Sequence, residues 1–299
     1  MKIHKIAGID IGSNSVRLLV SNVMQHKGET IFKKSSLTRL PIRLGTDAFN
    51  HGEISKKTIK KLLSGLQAYA KIMQVHEVEH YRACATSALR EADNGAEIVD
   101  YVKEKTGIEI NLIDGAEEAR MIFNTGALQA LKNKADNFLY IDVGGGSTEL
   151  TFFNDAQVMA SKSFKVGTIR LLHGKVQEQD WKEMKTWIKI HTKAAKSDIL
   201  MIGSGGNINR VLKLAQGKSG NTLKISYLEE VAEQMSRFTV NERIIKFDLN
   251  PDRADVITHA LEIYTSVMNW AKAEKMAVPK KGLADGIVKD LYEKHLIEQ

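Results

Sequence analysis

The sequence predicts an α/β protein built from two similar domains that face each other across a cleft. Its 299 residues are about twice the length of a typical domain. An apolar run, a polar turn and a second apolar run occur twice, once around Asp10 and once around Asp142. Elsewhere, short apolar runs alternate with segments of helical periodicity, which is typical of strands and helices that follow one another along the chain.

The first half begins with a predicted β-hairpin. An apolar run leads to Asp10, a polar turn follows, and residues 16–20 form the second strand. The apolar stripe of residues 55–73 predicts an amphipathic helix. The other predicted elements are a strand at 81–85 that ends in Thr86-Ser87 before a helix opening near Ala88, a strand at 108–113 and a helix at 115–131.

The second half repeats this order. Strands at 138–141 and 150–153 flank the second polar turn, and a strand at 199–202 ends in residues 203–206 before a helix at 207–214. Further helices are predicted at 180–192, at 228–238, from Asn250 to about Lys272 and from about Asp285. We therefore expect a first domain of residues 1–125 and a second domain of residues 126–284.

Composition and charge narrow the class of protein. Apolar residues make up 43% and charged residues 26%, as in an ordinary folded protein. The net charge of +7 attracts polyanions, but 6% aromatic residues and the lack of a nucleic-acid-binding motif argue against a specific nucleic acid partner. The single cysteine, Cys84, excludes an internal disulfide. No apolar run reaches the roughly 18 residues of a membrane span and no signal peptide is recognisable, so we expect a cytoplasmic protein without a membrane partner.

The repeated turns have the composition of a phosphate-binding site. Glycine lacks a Cβ, so its backbone can approach a phosphate closely and adopt positive φ, and successive N–H groups form a concave anion site. An aspartate beside such a turn suits a divalent cation that bridges to phosphate oxygens. One such turn alone is more often a plain hairpin turn, but this one recurs. The candidate phosphate-binding residues are Ser13, Asn14, Ser15, Gly144, Gly145, Gly146, Ser147, Gly205 and Gly206, and the candidate metal ligands are Asp10 and Asp142.

A second constellation lies at residues 114–120. Its adjacent acids, Glu117 and Glu118, suit a helix N-terminus because the helix dipole favours carboxylates there. Alternatively, one of them is a base that orients a water molecule. Arg90, in the early turns of the helix after Ser87, is either a phosphate-binding guanidinium or a surface arginine. The pattern of residues leaves both alternatives open.

Five motifs occur in the order seen in one protein family. They are Asp10-Ile11-Gly12-Ser13-Asn14-Ser15, Ala85-Thr86-Ser87-Ala88-Leu89-Arg90, Gly115-Ala116-Glu117-Glu118-Ala119-Arg120, Asp142-Val143-Gly144-Gly145-Gly146-Ser147-Thr148-Glu149 and Gly203-Ser204-Gly205-Gly206. The chain thereby resembles the exopolyphosphatase/guanosine pentaphosphate phosphohydrolase (Ppx/GppA) family over essentially its whole length, in a short two-domain form. That family has the fold of actin, sugar kinases and heat-shock ATPases. The resemblance implies two duplicated actin-like domains, with the helix at 285–299 returning to the first.

The resemblance also implies roles for individual residues. Glu118 becomes the catalytic carboxylate, Arg90 a phosphate contact in catalysis, and Asp142 and Glu149 the magnesium-associated acids. The implied reaction releases the terminal phosphate of inorganic polyphosphate or guanosine pentaphosphate by attack of water, with Mg²⁺ or Mn²⁺ as cofactor. Longer family members continue into a helical C-terminal domain that extends the polyphosphate-binding surface, and the sequence ends before it, which leaves processive action on long polymers open.

Two other functions fit the same turns. A kinase or ATPase of this fold would transfer phosphate to an acceptor or hydrolyse ATP, and a non-catalytic phosphate or alarmone sensor would bind its ligand without turnover. The sequence leaves open the preference between polyphosphate and guanosine pentaphosphate, the chain length, the metal and a homodimer.

Overall fold

The computed structural model describes residues 2–125, 136–154, 157–193, 198–215 and 221–294. They belong to two units. The first comprises Met1–Thr125 with Gly282–Gln299, and the second comprises Gly126–Lys281. Among the described residues, no helix combines the length and the apolar character needed to cross a membrane.

A five-stranded mixed sheet forms the centre of the first unit. Its strands are β1 (Ile3–Ile11), β2 (Val16–His26), β3 (Glu29–Leu40), β4 (His80–Ala85) and β5 (Ile110–Leu112), in the spatial order β3-β2-β1-β4-β5. The first three strands are antiparallel neighbours, whereas β4 pairs with β1 and β5 with β4 in parallel. The carboxyl ends of β1, β4 and β5 therefore lie at the same edge of the sheet, where the polar turn of residues 12–15 is also found.

Helices cover this sheet through their apolar stripes. They are α1 (Leu44–His51), α2 (Lys56–Val75), α3 (Ser87–Glu91), α4 (Gly95–Thr106) and α5 (Gly115–Phe123). The Ser55 side chain caps α2 by accepting from the Thr58 N–H. Leu62, Leu66 and Tyr69 lie on the buried face of α2, and the Tyr69 hydroxyl donates to the Val16 carbonyl at 2.9 Å. The predicted helix at 55–73 is confirmed.

The second unit repeats the arrangement around a six-stranded sheet. Its strands are β6 (Asn137–Val143), β7 (Thr148–Asn154), β8 (Gln157–Phe164), β9 (Ile199–Ser204), β10 (Thr222–Lys224) and β11 (Lys275–Ala277), in the spatial order β10-β11-β9-β6-β7-β8. Again three consecutive strands form an antiparallel meander, and a later strand, β9, pairs in parallel with the first of them. The α/β fold with a duplicated sheet, predicted from the two similar turns, is confirmed.

The helices of the second unit pack around α12. They are α6 (Thr168–Leu172), α7 (Glu178–Thr192), α8 (Gly206–Leu214), α9 (Ile225–Ser236), α10 (Val240–Lys246), α11 (Pro251–Ala254) and α12 (Ile257–Ala271). The α12 residues Leu261, Tyr264 and Met268 are almost fully buried in the core of this unit. Trp181 of α7 and Trp270 of α12 meet edge to face with ring centroids 5.9 Å apart.

The last helix, α13 (Leu283–Tyr292), belongs to the first unit and packs against β1 and α5. Small residues permit this packing. A Cβ added at Gly8 would lie 2.8 Å from the Ala284 carbonyl oxygen, and one added at Gly286 would lie 2.6 Å from the Met121 carbonyl carbon. The backbones of β1, α13 and α5 therefore approach one another as closely as glycine allows.

Two helices differ from the prediction. The helix expected at 115–131 ends at Phe123, and residues 126–131 of that prediction lie outside the described residues. The helix expected from Asn250 to Lys272 is divided into α11 and α12. The reason is local, because the Val256 N–H bonds to the Arg253 carbonyl three residues back, and this tighter bond interrupts the α-helical ladder.

Candidate active site

The first polar turn, residues 12–15, is closed by its own backbone and held from behind by the start of α1. The Gly12 N–H donates to the Ser15 carbonyl at 3.1 Å. The Ser13 carbonyl accepts from the Gly45 N–H at 2.8 Å, and the Asn14 carbonyl accepts from the Arg43 N–H at 3.1 Å. Because C=O and N–H point in opposite directions across a trans peptide, the turn directs carbonyls toward α1 and N–H groups away from it.

Asp10 and Arg17 stand opposite each other at the base of this turn. They are register partners in the antiparallel pair β1–β2. Arg17 Nη1 donates to Asp10 Oδ2 at 2.8 Å, and the Asp10 side chain is 6% exposed. The carboxylate that the sequence assigns to metal binding is therefore held by an arginine of the same hairpin.

The second polar turn, residues 144–147, has the same backbone plan. The Gly144 N–H donates to the Ser147 carbonyl at 2.9 Å, and the carbonyls of Gly144 and Gly145 accept from the first N–H groups of α6 at 3.0 and 2.8 Å. Arg170 of α6 adds a bond from its Nε to the Gly146 carbonyl at 2.6 Å. Within the described ranges, no hydrogen bond involves the N–H groups of Gly145, Gly146 and Ser147. Three consecutive donors of this kind form a concave anion site.

Two carboxylates face each other beside the second turn. Asp142 and Glu149 are register partners in the antiparallel pair β6–β7, so their side chains project from the same face of the sheet, with Cβ atoms about 5 Å apart. Glu149 is almost fully buried, and its Oε1 accepts from Ser147 Oγ at 2.6 Å and from Ser163 Oγ at 3.0 Å. These hydroxyls orient one oxygen of the Glu149 carboxylate.

The facing acids fit a divalent cation of the Mg²⁺ type. In the described part of the chain, no three His, Cys, Asp or Glu side chains converge as a complete metal cage. Mg²⁺ needs no such cage, because it commonly keeps several waters and binds one or two carboxylates together with substrate phosphates. Asp142 and Glu149 provide two carboxylates next to an anion site, which is the donor set for that mode of binding.

Gly205 is the place where this site requires a glycine conformation. Its φ is +118°, and an added Cβ would lie 3.2 Å from Asp142 Oδ1 and 3.1 Å from the Val143 carbonyl oxygen. Gly205 links β9 to α8, which begins at Gly206. Gly12 and residues 144–146 have no positive φ, because closure by the first N–H and the fourth carbonyl does not require it.

The structure separates the two adjacent acids of α5. Asp114 caps the helix by accepting from the Glu117 N–H at 2.7 Å. Glu117 Oε1 accepts from Arg82 Nη2 at 2.9 Å, so this acid is part of an ion pair with β4. Glu118 projects about 100° further round the helix axis and is buried, with 9% exposure. Sequence alone does not distinguish the two acids, and the geometry gives them different surroundings.

Arg90 and Ser87 connect the first turn with the segment before α5. Arg90 Nη1 donates to the Ile113 carbonyl at 2.5 Å, directly before the Asp114 cap. The hydroxyls of Ser87 and Ser13 lie 3.0 Å apart and are buried. Ser87 is not among the residues that the sequence assigned to the site. Ser87 could have been recognised from its place directly after β4, because the carboxyl end of β4 lies beside that of β1.

The structure thus collects the predicted residues in two sets, one in each unit. In the first unit, the turn of residues 12–15 lies with Asp10 and Ser87 at the edge of the sheet, and Arg90 contacts the segment that leads into Glu118. In the second unit, the turn of residues 144–147 lies with Asp142, Glu149 and the glycines at the start of α8.

Comparison with known proteins identifies relatives over almost the whole chain. Residues 19–295 match the model of the Ppx/GppA phosphatase family. Exopolyphosphatase 2 of Mycobacterium tuberculosis is 26% identical, with 97% of this chain and 99% of that protein aligned. The bifunctional 3-dehydroquinate synthase/phosphatase of Fusobacterium nucleatum is 29% identical over 88% of this chain, and the aligned part is 43% of that longer protein.

A solved structure shows the same fold. The crystal structure of an exopolyphosphatase from Cytophaga hutchinsonii superposes with a TM-score of 0.80 at 23% identity, with 97% of each chain covered. The two sheets described above are those of an actin-like, two-domain fold, as the sequence predicted.

Proposed function

Since the chain belongs to the Ppx/GppA phosphatase family, we propose that it releases the terminal phosphate of inorganic polyphosphate, with guanosine pentaphosphate as the second substrate to be tested. The phosphohydrolase activity predicted from the sequence is confirmed at the level of this family. A full-length relative named exopolyphosphatase supports polyphosphate as the first choice.

One observation carries the proposal. The second turn combines three consecutive backbone donors, at residues 145–147, with the facing carboxylates of Asp142 and Glu149. Backbone donors alone would bind any small anion, and carboxylates alone would repel it. Their combination suits a phosphate that arrives with a divalent cation, because the cation neutralises both the carboxylates and the phosphate oxygens. Phosphoanhydrides bound with Mg²⁺ have this composition.

The proposed reaction is a displacement at the terminal phosphorus. A water oxygen forms the new P–O bond, the bridging P–O bond breaks, and the shortened chain leaves with the bridging oxygen. Glu118, a buried carboxylate at the start of α5, accepts a proton from the attacking water. Arg90 stabilises phosphate charge. Asp142 and Glu149 would hold Mg²⁺ or Mn²⁺, which would supply charge neutralisation when bound.

In this proposal, Asp10 is not a metal ligand. Its ion pair with Arg17 gives it a protein cation as partner, so we assign it to holding the first hairpin turn rather than to the metal. Ser13, Asn14 and Ser15 of the first unit and Gly205 and Gly206 of the second unit remain proposed phosphate contacts. A cytoplasmic location also stays a proposal.

The proposal is tested by replacing Glu118. We expect Glu118→Gln to lower kcat for polyphosphate by about a hundredfold to ten-thousandfold, the usual contribution of a positioned general base, while ligand binding changes little. Glu117→Gln is the matched control, because it neutralises the adjacent acid that pairs with Arg82, and we expect its kcat to stay within about tenfold of the unmodified protein. More than a tenth of the activity remaining in Glu118→Gln would contradict the assignment.

The same assay separates the rival functions. Phosphate release is measured with polyphosphates of graded length, guanosine pentaphosphate and ATP. Transfer of phosphate to an acceptor, or hydrolysis of ATP alone, would favour a kinase or ATPase of this fold. Tight binding without release of phosphate would favour a sensor.

A further inference from the structure

A charged cluster joins α5 to β4 and α13. Arg82 of β4 donates through Nη2 to Glu117 and through Nη1 to Asp290 Oδ2, at 2.9 and 3.1 Å. Arg120 Nη1 donates to Asp290 Oδ1 at 2.9 Å. Both carboxylate oxygens of Asp290 therefore accept hydrogen bonds. Oδ1 is bonded to Arg120 of α5 itself, and Oδ2 is linked to α5 through Arg82.

Asp290 is the centre of this cluster. Its side chain is 4% exposed, whereas that of Arg120 is 46% exposed. Burial by itself raises the pKa of Asp290, but hydrogen bonds from Lys294 and Arg120 outweigh it, so the pKa lies below its usual value. The carboxylate is therefore ionised at neutral pH.

The contacts fix α5 in rotation as well as in position. Glu117 and Arg120 are three residues apart and lie on one side of the helix, and Met121, next to Arg120, contacts the backbone of Gly286 on α13. The Glu118 side chain leaves the same helix about 100° round its axis from Glu117. Any rotation of α5 about its axis would break the bonds at Glu117 and Arg120 and would move the Glu118 carboxylate with them.

We propose that Asp290 is a positioning residue for the phosphohydrolase reaction, acting through α5 to set the direction of Glu118. The inference rests on the proposed role of Glu118. Its physical basis is the steep dependence of catalysis on geometry, since a misplacement of about 1 Å can cost about a hundredfold in rate. A residue that only stabilised the fold would have no such selective effect on turnover.

The test is Asp290→Asn, which keeps the shape of the side chain and removes its charge. With tripolyphosphate and Mg²⁺, we expect kcat to fall about tenfold or more and KM to stay within about twofold. Arg120→Gln breaks one of the two connections at an exposed site and carries the test if Asp290→Asn does not fold. We expect a smaller loss of kcat in the same direction.

Lys34→Met is the matched control. Lys34 of β3 makes a different ion pair with α13, to Asp285 Oδ1 at 2.8 Å. Its removal breaks a bond between α13 and β3 and leaves the bonds between α13 and α5 in place, so we expect a small change in melting temperature and an unchanged kcat. An equal loss of kcat in Lys34→Met and Asp290→Asn would overturn the proposal.

A double variant shows whether Asp290 acts through Glu118. In the Glu118→Gln background, Asp290→Asn should cause no further loss of the residual activity. A further tenfold loss there, or an unchanged kcat in folded Asp290→Asn, would overturn the positioning role and leave the proposed function intact. Full activity of Glu118→Gln alone would overturn both.

Discussion

The two strand–turn–strand segments, residues 10–17 and 142–149, share a backbone plan and differ in their charges. In both, the first turn residue donates to the fourth, Gly12 to Ser15 and Gly144 to Ser147. In both, the start of the next helix donates to the carbonyls of the turn. The residues that face each other at the base are an aspartate and an arginine in the first unit and two acids in the second.

The difference shows that two turns with the same backbone arrangement need not bind the same ligand. At the first turn, Arg17 supplies the positive charge that Asp10 requires. At the second, Asp142 and Glu149 provide a pair of oxygen donors of the kind that Mg²⁺ binds. Residue 17 and residue 149 hold equivalent places after the two turns, so one substitution in the repeat separates an internal ion pair from a proposed metal site.

The pKa values of two buried tyrosines reflect the charges near the turns. Burial raises the pKa of Tyr69, the charge of Asp10 raises it further, and Arg17 and Arg39 lower it. Burial also raises the pKa of Tyr264, with a further contribution from Asp142 and an opposing one from a hydrogen bond with the Val143 backbone. The tyrosine near the first turn therefore lies in a field to which arginines of β2 and β3 contribute.

The largest expected difference between the turns is in metal dependence. We expect Asp142→Asn to raise the Mg²⁺ concentration for half-maximal activity by about tenfold to a hundredfold, as loss of a group that supports a bound metal commonly does. The measurement is phosphate release from polyphosphate as a function of Mg²⁺ concentration.

Asp10→Asn is the control. It removes the equivalent carboxylate, and we expect a lower melting temperature because Arg17 loses its charged partner, with a Mg²⁺ requirement within about twofold of that of the unmodified protein. A rise in the Mg²⁺ requirement as large as that of Asp142→Asn would place both turns at the metal and remove the contrast between them.

A second prediction compares the glycines behind the turns. A Cβ at Gly167 would overlap the backbone of Gly146 and lie 2.6 Å from Ser147 N, whereas one at Gly45 would meet the Phe49 ring at 2.7 Å and Ser13 Cβ at 2.9 Å. The backbone at Gly167 cannot move aside without displacing the turn. At Gly45 the Phe49 ring can rotate, and a small shift of Ser13 relieves the remaining contact. We expect Gly167→Ala to cost about 3 kcal/mol in the free energy of unfolding and Gly45→Ala about 1 kcal/mol.

Denaturant unfolding checks the two costs, and kinetics check the effect on the site. Gly167→Ala should also raise KM for polyphosphate, because the N–H groups of the turn would no longer converge. Equal unfolding free energies with an unchanged KM would mean that the second turn tolerates displacement and that its tight backing is not needed for binding.

Much of the fold could be predicted from the sequence because its strongest signal, the apolar–turn–apolar pattern, occurs twice. The edge strands β3 and β8 were not predicted. Most of their residues are exposed or half-buried, so hydrogen bonds to β2 and β7 rather than an apolar pattern hold them in place. The three-residue strands β10 and β11 are too short to show a period, whereas β5 lies within the strand predicted at 108–113.

The turns of the candidate site were predictable, and their partners were less so. The different roles proposed for Asp10 and Asp142 depend on the residue two places after each turn, and this signal is visible once the register is counted across the hairpin. The cluster around Asp290 is of another kind. Arg82 and Asp290 are 208 residues apart in sequence, and nothing local to either indicates that the returning helix brings them together.

The smallest predicted difference concerns the hydroxyls of the two turns. Ser147 donates to the buried carboxylate of Glu149 at 2.6 Å, whereas Ser13 shares a hydrogen bond with the hydroxyl of Ser87 at 3.0 Å. A bond to a charged group contributes about 1.5–3 kcal/mol and one between neutral groups about 1 kcal/mol. We therefore expect Ser147→Ala to lower the free energy of unfolding by about 2 kcal/mol and Ser13→Ala by about 1 kcal/mol, measured by urea denaturation without Mg²⁺. Equal losses would show that the bond to Glu149 is not charge-assisted, and the second turn would then differ from the first in its proposed cation alone.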